Sequence, residues 1–336
     1  MRFLLIAFIV LCTIEGYSQP FFNWARHITG SHIERPTSME IDQSGNIYTV
    51  GFFTGDIYLD SNSPIPNFST NGNKDGYIQK LDSDGNYIWS KRFGYTGAEI
   101  IEDVMLDANG NIFVIGQFGD SIDLNPNSGV EIAMSNGSLD IFVVKLDSNG
   151  QYLWGRTFGG LGTDFPYDLN TDLGGNIYLT GRYEDSVDFD PGSGVSVLYP
   201  IVSSTKEFVM KWNNNGDFVW VKRLFEETTF PYFFYEIHQS ETDTTGNIYI
   251  SGSFRGTGDF DVGLDTFLMA SVNHLYDAFI MKLDSSGQFQ WSKKIGGNGI
   301  DQGLCLAVSD AGHIQWGGKF TDTVDADPGL GADTMI

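Results

Sequence analysis

The sequence predicts an all-β protein of about five repeats, each folding into four strands. Three observations lead to this prediction. A segment DQSGNIYTVG at 42–51 returns four more times, and successive copies lie 65, 65, 71 and 66 residues apart. A second segment carries one tryptophan per repeat, namely Trp89, Trp154, Trp220 and Trp291. No window of the 336 residues shows an apolar stripe of helical period.

Each repeat reads as four strands, which in the first repeat cover 38–42, 46–53, 76–81 and 86–93. The D-x-x-G-N segments between strands suit tight hairpins, because Asp accepts backbone hydrogen bonds and Gly adopts positive φ. The second strand is apolar at nearly every position, which is typical of a sheet covered on both faces. The fourth strand alternates instead, so that its tryptophan and phenylalanine share one face.

Repeated four-stranded sheets, each buried by its neighbours, describe the blades of a β-propeller. The repeats cover about 38–94, 103–159, 168–225 and 239–297, with an incomplete repeat at 305–336. A right-handed β-solenoid is the competing architecture, but its coils would be much shorter.

A further tryptophan, Trp24, lies 65 residues before Trp89, and we expect an N-terminal strand at 20–30 around it. This strand would complete the last blade of a five-repeat ring. Alternatively, the chain is a fragment of a larger propeller, and we favour this second explanation.

Residues 1–18 have the pattern of a secretory signal peptide, with a short apolar run and small residues before the expected cleavage site. The mature protein would be one β-propeller repeat domain over 19–336. We expect it to be secreted or held at the outer cell surface, with no transmembrane segment in the mature chain. Cleavage leaves Cys305 as the only thiol, so a disulfide framework is excluded.

The chain is strongly acidic, with 43 Asp and Glu against 19 Lys and Arg and a formal net charge of −24. Nucleic acids and anionic membranes bind cationic surfaces, so the composition excludes both as main partners. We expect a protein or glycan ligand instead.

Four motifs together resemble the SBBP-type β-propeller repeat, a family named for a seven-bladed model. They lie at 46–51, 187–192, 277–287 and 291–297. The resemblance covers almost the whole mature chain, and it implies an exported bacterial protein that is secreted or attached to the cell surface.

Pairs of acids recur in the loop after the second strand. Alternate carboxylates in a loop bounded by Gly and Pro are how calcium-binding loops supply oxygen ligands. Calcium is therefore the one cofactor that the sequence suggests, although the third acid and the distant Glu of such loops are absent. The competing interpretation is a solvated turn held by Asp side chains. The candidate metal ligands are Asp123, Asn125, Asp188, Asp190, Asp259, Asp261, Asp325 and Asp327.

The first strands differ from repeat to repeat, as a binding site requires, and in a propeller they line the central channel. Carboxylate pairs there could hydrolyse glycosides. The alternative is a polar network between neighbouring blades. The histidines show no zinc-binding spacing, and we assign no catalytic residue. The candidate ligand-binding residues are Glu40, Asp103, Asp168, Asn170 and Glu241.

The sequence therefore predicts a non-catalytic exported β-propeller that acts as a binding or scaffold module at the cell surface. The alternative is a glycan-acting enzyme, of glycoside hydrolase or lyase type, that uses the acids of the first strands. The fold alone does not name the partner.

Overall fold

The computed structural model describes residues 23–60, 62–63, 65–70, 73–200, 206–225, 233–309, 312–327, 329 and 333–335. The predicted signal peptide at 1–18 lies outside the described residues and stays a prediction. The chain divides into two compact units, of which unit 1 ends at Thr157 and unit 2 begins at Phe158. Repeats 1 and 2 belong to unit 1, and repeats 3 to 5 belong to unit 2.

The described part of unit 1 consists of short and medium strands without an α-helix. The strands are β1 (Thr29–Gly30), β2 (Ile33–Ile41), β3 (Ile47–Thr54), β4 (Asp56–Tyr58), β5 (Phe68–Ser69), β6 (Asp75–Leu81), β7 (Tyr87–Phe93), β8 (Glu99–Leu106), β9 (Ile112–Phe118), β10 (Ser121–Asp123), β11 (Ile132–Met134), β12 (Asp140–Leu146) and β13 (Tyr152–Phe158), the last of which reaches one residue into unit 2.

The described part of unit 2 is also built of strands, with one 3₁₀ turn at Val272–His274. The strands are β14 (Phe165–Thr171), β15 (Ile177–Tyr183), β16 (Val187–Asp188), β17 (Val197–Leu198), β18 (Lys206–Trp212), β19 (Phe218–Arg223), β20 (Phe234–Thr242), β21 (Ile248–Arg255), β22 (Thr257–Asp259), β23 (Leu268–Ala270), β24 (Asp277–Leu283), β25 (Phe289–Gly297), β26 (Gln302–Val308), β27 (Ile314–Lys319), β28 (Val324–Asp325) and β29 (Thr334–Met335).

Four antiparallel four-strand ladders confirm the predicted all-β, propeller-like fold. Their orders are β2-β3-β6-β7, β8-β9-β12-β13, β14-β15-β18-β19 and β20-β21-β24-β25, and the last of these continues from β25 into β28 and β29 to form a six-stranded sheet. Every residue of β9 and β12 is buried, as expected for strands covered on both faces. The strand β2 begins five residues earlier than predicted, because Pro36 and a register shift between Pro36 and Ser38 hide its alternation.

A small hairpin follows the second strand of every repeat, in a region where the sequence showed no strong pattern. These hairpins are β4–β5, β10–β11, β16–β17, β22–β23 and β28–β29. Strands of two or three residues are too short to show a period. Each hairpin begins at a residue of positive φ, which is Gly55, Asp120, Asp185, Gly256 or Asp322.

A cluster of four side chains holds the second, third and fourth strands of each sheet together. In repeat 2, Lys145 Nζ lies 3.5 Å from Asp107 Oδ2 and 4.7 Å from the centre of the Phe113 ring. The Phe113 ring also meets Trp154 edge-on, with the ring centres 6.1 Å apart. Burial lowers the pKa of Lys145, and the Asp107 carboxylate opposes this shift. We call this Asp–aromatic–Lys–Trp cluster the quartet.

The quartet recurs with nearly constant geometry in three other repeats. The Lys to Asp distances are 3.8, 3.8 and 3.9 Å, and the aromatic to Trp centre distances are 6.2, 6.4 and 6.2 Å. A cation over a ring face and beside a carboxylate is stabilised by both contacts. The members are Asp42, Tyr48, Lys80 and Trp89; Asp172, Tyr178, Lys211 and Trp220; and Asp243, Tyr249, Lys282 and Trp291.

The quartet tryptophan also contacts the hairpin turn of the following repeat. In unit 2, Trp220 Nε1 donates to the Ser285 carbonyl at 3.2 Å and its ring lies against Gly287. Glycine is required at position 287 for two reasons: its φ is +74°, and a Cβ there would come within 3.1 Å of the Trp220 ring.

In unit 1, Trp24 makes the same contact, donating to the Ser83 carbonyl at 3.3 Å. The structure differs from the predicted strand at 20–30, however. Residues 20–22 of that prediction lie outside the described residues. Within 23–30, the part that the structure describes, only Thr29–Gly30 forms a strand. Trp24 thus occupies the position of a repeat tryptophan against the turn at Ser83.

The quartets predict unequal costs for removing their lysines. Lys145→Met leaves Asp107 buried beside an apolar chain, and we expect a loss of about 3 kcal/mol in the free energy of unfolding, measured by urea denaturation. The matched change Lys282→Met should cost about 1 kcal/mol, because that lysine side chain is 22% exposed against 5% for Lys145. Equal losses at the two positions would contradict this account of the quartet.

Candidate functional site

The first strand of every repeat carries a bulge at the same place, directly before the predicted channel position. The register shifts between Pro36 and Ser38, and equivalently before Asp103, Asp168, Gln239 and Cys305. A bulge inserts one extra residue and turns the following side chain to a new direction. The backbone therefore sets the direction in which the candidate residues point.

In unit 1 the structure brings Glu40 and Asp103 together. Ser38 Oγ donates to Asp103 Oδ1 at 2.6 Å, and the Val104 amide donates to the same oxygen at 2.8 Å. The Ser38 bond joins β2 of one sheet to β8 of the next. Burial, with the nearby Asp103 charge, raises the pKa of Glu40 to about 7.

In unit 2 the structure brings Asp168 and Asn170 onto one serine of the neighbouring sheet. Asp168 Oδ2 accepts from the Ser240 amide at 2.7 Å and from Ser240 Oγ at 3.0 Å. Asn170, which is 3% exposed, donates to the Ser240 carbonyl at 3.0 Å. Glu241 lies one residue further along β20, where its Oε1 accepts a bond of 3.4 Å from Gln239.

The five predicted channel residues thus fall into two groups, one in each unit. Within each group, Asp103, Asp168 and Asn170 each bond to a serine on the first strand of a neighbouring sheet. This geometry agrees with the polar-network interpretation. A single ligand site formed by all five residues stays a prediction.

The predicted metal ligands lie in the turns of the small hairpins. Asp188 Oδ1 accepts from the amides of Asp190 and Ser196 at 3.1 and 2.8 Å, and Asp190 Oδ1 accepts from Gly192 at 2.8 Å. The same bonds recur around Asp123 and Asn125, Asp259 and Asp261, and Asp325 and Asp327.

These hydrogen bonds account for the spacing of the acids without a cation. No group of three or more His, Cys, Asp or Glu placed to hold a metal ion occurs among the residues that the structure describes. In unit 2, Asp325 and Asp327 line a cavity of about 430 Å³ together with Lys293 and Lys294. Calcium binding at these loops stays a prediction.

A cavity of about 260 Å³ in unit 1 lies between the segment around Arg26 and the first sheet. Two of its lining residues, Thr49 and Gln79, are 3% and 4% exposed. Their equivalents in repeat 2 are the apolar residues Val114 and Val144. Thr49 Oγ1 has no hydrogen-bond partner within the described structure. Repeat 1 therefore carries a polar recess at positions that are apolar core in repeat 2.

Glu99 is a buried acid that the sequence analysis missed. It is fully buried, and among the described residues its carboxylate oxygens have no hydrogen bond of ordinary geometry, although the Tyr95 backbone N–H lies close enough to lower its pKa. The equivalent Asp301 in unit 2 accepts from the amides of Gly297 and Thr321. Burial and the charge of Asp75 raise the pKa of Glu99 to about 8, with the Tyr95 backbone N–H and Arg92 opposing the shift. The signal in the sequence is a Glu where two other repeats have Asp.

Comparison with known proteins gives one informative likeness. No protein-family model matches the chain. The chain is similar to an uncharacterized WD repeat-containing protein, L264, of Acanthamoeba polyphaga mimivirus, with 25% identity over 261 residues. The aligned part is 68% of this chain but 18% of that protein, so the chain spans less than a fifth of its relative. The likeness and the four-stranded sheets together indicate a β-propeller repeat protein.

Among the described residues, no helix has the length and apolar character needed to cross a bilayer.

Glu99 predicts a stability that falls as pH rises. Because its folded-state pKa of about 8 lies above its ordinary value of 4.5, the folded form binds the extra proton between these values. The contribution of the protonated Glu99 carboxyl to the free energy of unfolding is therefore complete below pH 4.5 and is lost as pH rises through 8. Glu99→Gln should raise the melting temperature at pH 8 to 9, with a difference that shrinks towards pH 5.

The matched control is Asp301→Asn, where the carboxylate accepts two backbone amides and no such gain is expected. A change in melting temperature in Glu99→Gln that stays constant from pH 5 to pH 9 would contradict the raised pKa of this buried carboxyl.

Proposed function

We propose that this chain is a non-catalytic β-propeller repeat module that binds a partner or serves as a scaffold. The observation that carries the proposal is that polar side chains of the first strands bond to neighbouring sheets. Asp103 in unit 1 and Asp168 and Asn170 in unit 2 bond to a serine of the neighbouring sheet. Groups that hold sheets together in this way serve the fold, and the surface loops remain for binding.

The proposal places the protein outside the cell, secreted or at the cell surface, and assigns its repeats to the SBBP type. The signal-peptide pattern at 1–18 and the four repeat motifs support both parts. The intact mass of the protein from its native source tests export, because cleavage after residue 18 removes that segment and leaves Gln19 at the N-terminus. A retained segment would overturn the export proposal.

The proposed partner is a protein or a glycan, and the net charge of −24 argues against nucleic acid. A WD repeat-containing relative supports a binding or scaffold role for a propeller of this kind. The polar recess of about 260 Å³ in unit 1 offers hydroxyl and amide groups to such a ligand.

A glycan-acting enzyme is the second candidate, and the pair of Glu40 and Asp103 favours it. A carboxyl whose pKa is raised to about 7, beside a second acid, is the arrangement of a general acid and its partner. In this alternative, Asp103 acts in chemistry rather than in joining β2 to β8.

Calcium binding at the hairpin loops is a separate proposal, supported by the repeated acid pairs. Millimolar calcium should then raise the melting temperature relative to a chelator. Asp261→Asn keeps the Oδ1 acceptor for Gly263 but removes the charge, so it should abolish part of the rise. No calcium-dependent rise in the unaltered protein would overturn this proposal.

The two main candidates differ in what Glu40→Ala and Asp103→Asn change. The binding module predicts no release of reducing sugar from polysaccharides by the unaltered protein and unchanged ligand binding by Glu40→Ala. Asp103→Asn should cost about 1 to 3 kcal/mol in the free energy of unfolding, because Ser38 and Val104 lose a charged acceptor. Asp168→Asn is the matched control and should cost a similar amount.

Release of reducing sugar that disappears in Glu40→Ala, with the free energy of unfolding unchanged in Asp103→Asn, would establish the enzyme and overturn the binding module.

A further inference from the structure

The polar recess of unit 1 has a floor made of two side chains that face each other across two strands. Thr49 of β3 and Gln79 of β6 lie opposite one another in the ladder of the first sheet. Both line the cavity of about 260 Å³, and they are only 3% and 4% exposed. A hydroxyl and an amide are thus buried side by side at the bottom of the recess.

The same ladder position is apolar in the other three sheets of this kind. Burying a hydroxyl or an amide is unfavourable unless it finds a hydrogen-bond partner, whereas an apolar pair adds to the core. In repeat 2 the corresponding pair belongs to the hydrophobic core between the first two sheets. The fold therefore does not require polar residues at this position. The corresponding pairs are Val114 and Val144, Leu179 and Met210, and Ile250 and Met281.

The two floor residues differ in how their polar atoms are used. Gln79 Nε2 donates to the Leu59 carbonyl at 2.7 Å, which fixes the direction of the amide. An amide carries a second donor hydrogen and an acceptor oxygen besides. Thr49 Oγ1 is buried and has no hydrogen-bond partner among the described residues. Since nearly all buried hydroxyls in folded proteins are hydrogen-bonded, this one points to a partner that enters the recess.

One wall of the recess is held in place by the hairpin turn of the first sheet. Trp24 Nε1 donates to the Ser83 carbonyl at 3.3 Å, and Arg26 Nε donates to the Gly85 carbonyl at 2.8 Å. These bonds attach the segment 26–28, which lines the recess, to that turn. A recess whose walls are already ordered loses less conformational freedom when a ligand binds.

The rest of the lining combines an apolar wall with a neutral polar group. Ile28, Leu59 and Tyr87 form the apolar wall and belong to one hydrophobic cluster. Asn62 adds an amide at the exposed rim. The lining therefore offers hydrogen bonds on one side and apolar surface on the other.

Charge excludes ionic ligands from the recess. No carboxylate is among the described residues that line it, so a cation finds no partner there. The net charge of −24 repels anions, and the one guanidinium of the lining, on Arg26, already donates through Nε to the hairpin turn. The ligand that fits is neutral.

The volume of the recess limits the ligand to a small one. Pockets for drug-sized ligands measure about 300 to 1,000 Å³, and this recess is slightly smaller. A pyranose ring carries hydroxyl groups around its rim and C–H groups on its faces. It can therefore bond to a threonine hydroxyl and a glutamine amide while one face lies on an apolar wall.

We propose that the recess binds one neutral pyranose residue of a glycan, with hydrogen bonds from its hydroxyl groups to Thr49 and Gln79 and with one face on the wall of Ile28, Leu59 and Tyr87. The inference rests on the proposed binding function and deepens it by naming one site and the class of its ligand. A site whose buried polar groups need partners discriminates against analogues that lack the hydroxyl.

The test uses the full chain and titrations followed by saturation-transfer NMR. The probes are the methyl pyranosides of glucose, galactose, mannose and N-acetylglucosamine. We expect saturable binding of at least one of them, with a dissociation constant on the order of 1 mM for a ligand of this size. Methyl glucuronide, which is anionic, and glucosamine, which is cationic, should bind about tenfold more weakly than the best neutral probe.

Two substitutions taken from the other repeats separate ligand contact from folding. Thr49→Val introduces the residue of repeat 2, and Gln79→Met introduces the residue of repeats 3 and 4. Each should weaken sugar binding about tenfold without lowering the melting temperature, because an apolar residue suits this ladder position. Thr180→Val is the matched control, since it removes a buried threonine hydroxyl in unit 2 and should leave sugar binding within about twofold of the unaltered protein.

Absence of binding by every neutral pyranoside, or equal binding by Thr49→Val and the unaltered protein, would overturn the proposal. So would tighter binding of the glucuronide, which would assign the recess to anions, or of a neutral peptide of serine and asparagine, which would assign it to a polypeptide. The proposed binding function falls only if the unaltered protein releases reducing sugar that Glu40→Ala does not, so the two failures are distinguishable.

Discussion

The sheets depend on the contact of the buried quartet lysine with its carboxylate and with its aromatic ring. Its stem crosses from the third strand to an aromatic ring of the second, and its ammonium lies beside the Asp of the first hairpin turn. A charge in this position is tolerated only with a carboxylate and a ring face around it. The same Asp accepts the turn amides, so the turn and the ion pair stabilise each other.

Within each unit, a quartet tryptophan extends this arrangement to the next repeat. The Trp89 ring rests on the turn at Gly150 in unit 1 and the Trp220 ring on the turn at Gly287 in unit 2, which explains why these turns carry glycine. Polar contacts of the first strands join the same neighbours at the other end of the sheet. Asp103, Asp168 and Asn170, which the sequence suggested as ligand-binding residues, thus make contacts between neighbouring sheets.

Much of the fold could be predicted from the sequence, because a repeat shows each strand four or five times. The hairpin glycines and the buried second strands followed from this repetition. The small hairpins did not, since strands such as Val187–Asp188 are too short to show a period. The bulge before Asp103 depends on local backbone geometry, which no residue pattern shows. The raised pKa of Glu99 depends on the one methylene group by which Glu is longer than the Asp of two other repeats.

Amide hydrogen exchange tests the central claim most directly, namely that a complete sheet is held together by its quartet. The account predicts slow exchange along β3, β9, β15 and β21, which are bonded on both sides, and faster exchange along β9 when Lys145→Met removes the quartet lysine. Fast exchange along β9 and β21 in the unaltered protein, or unchanged exchange along β9 in Lys145→Met, would contradict it.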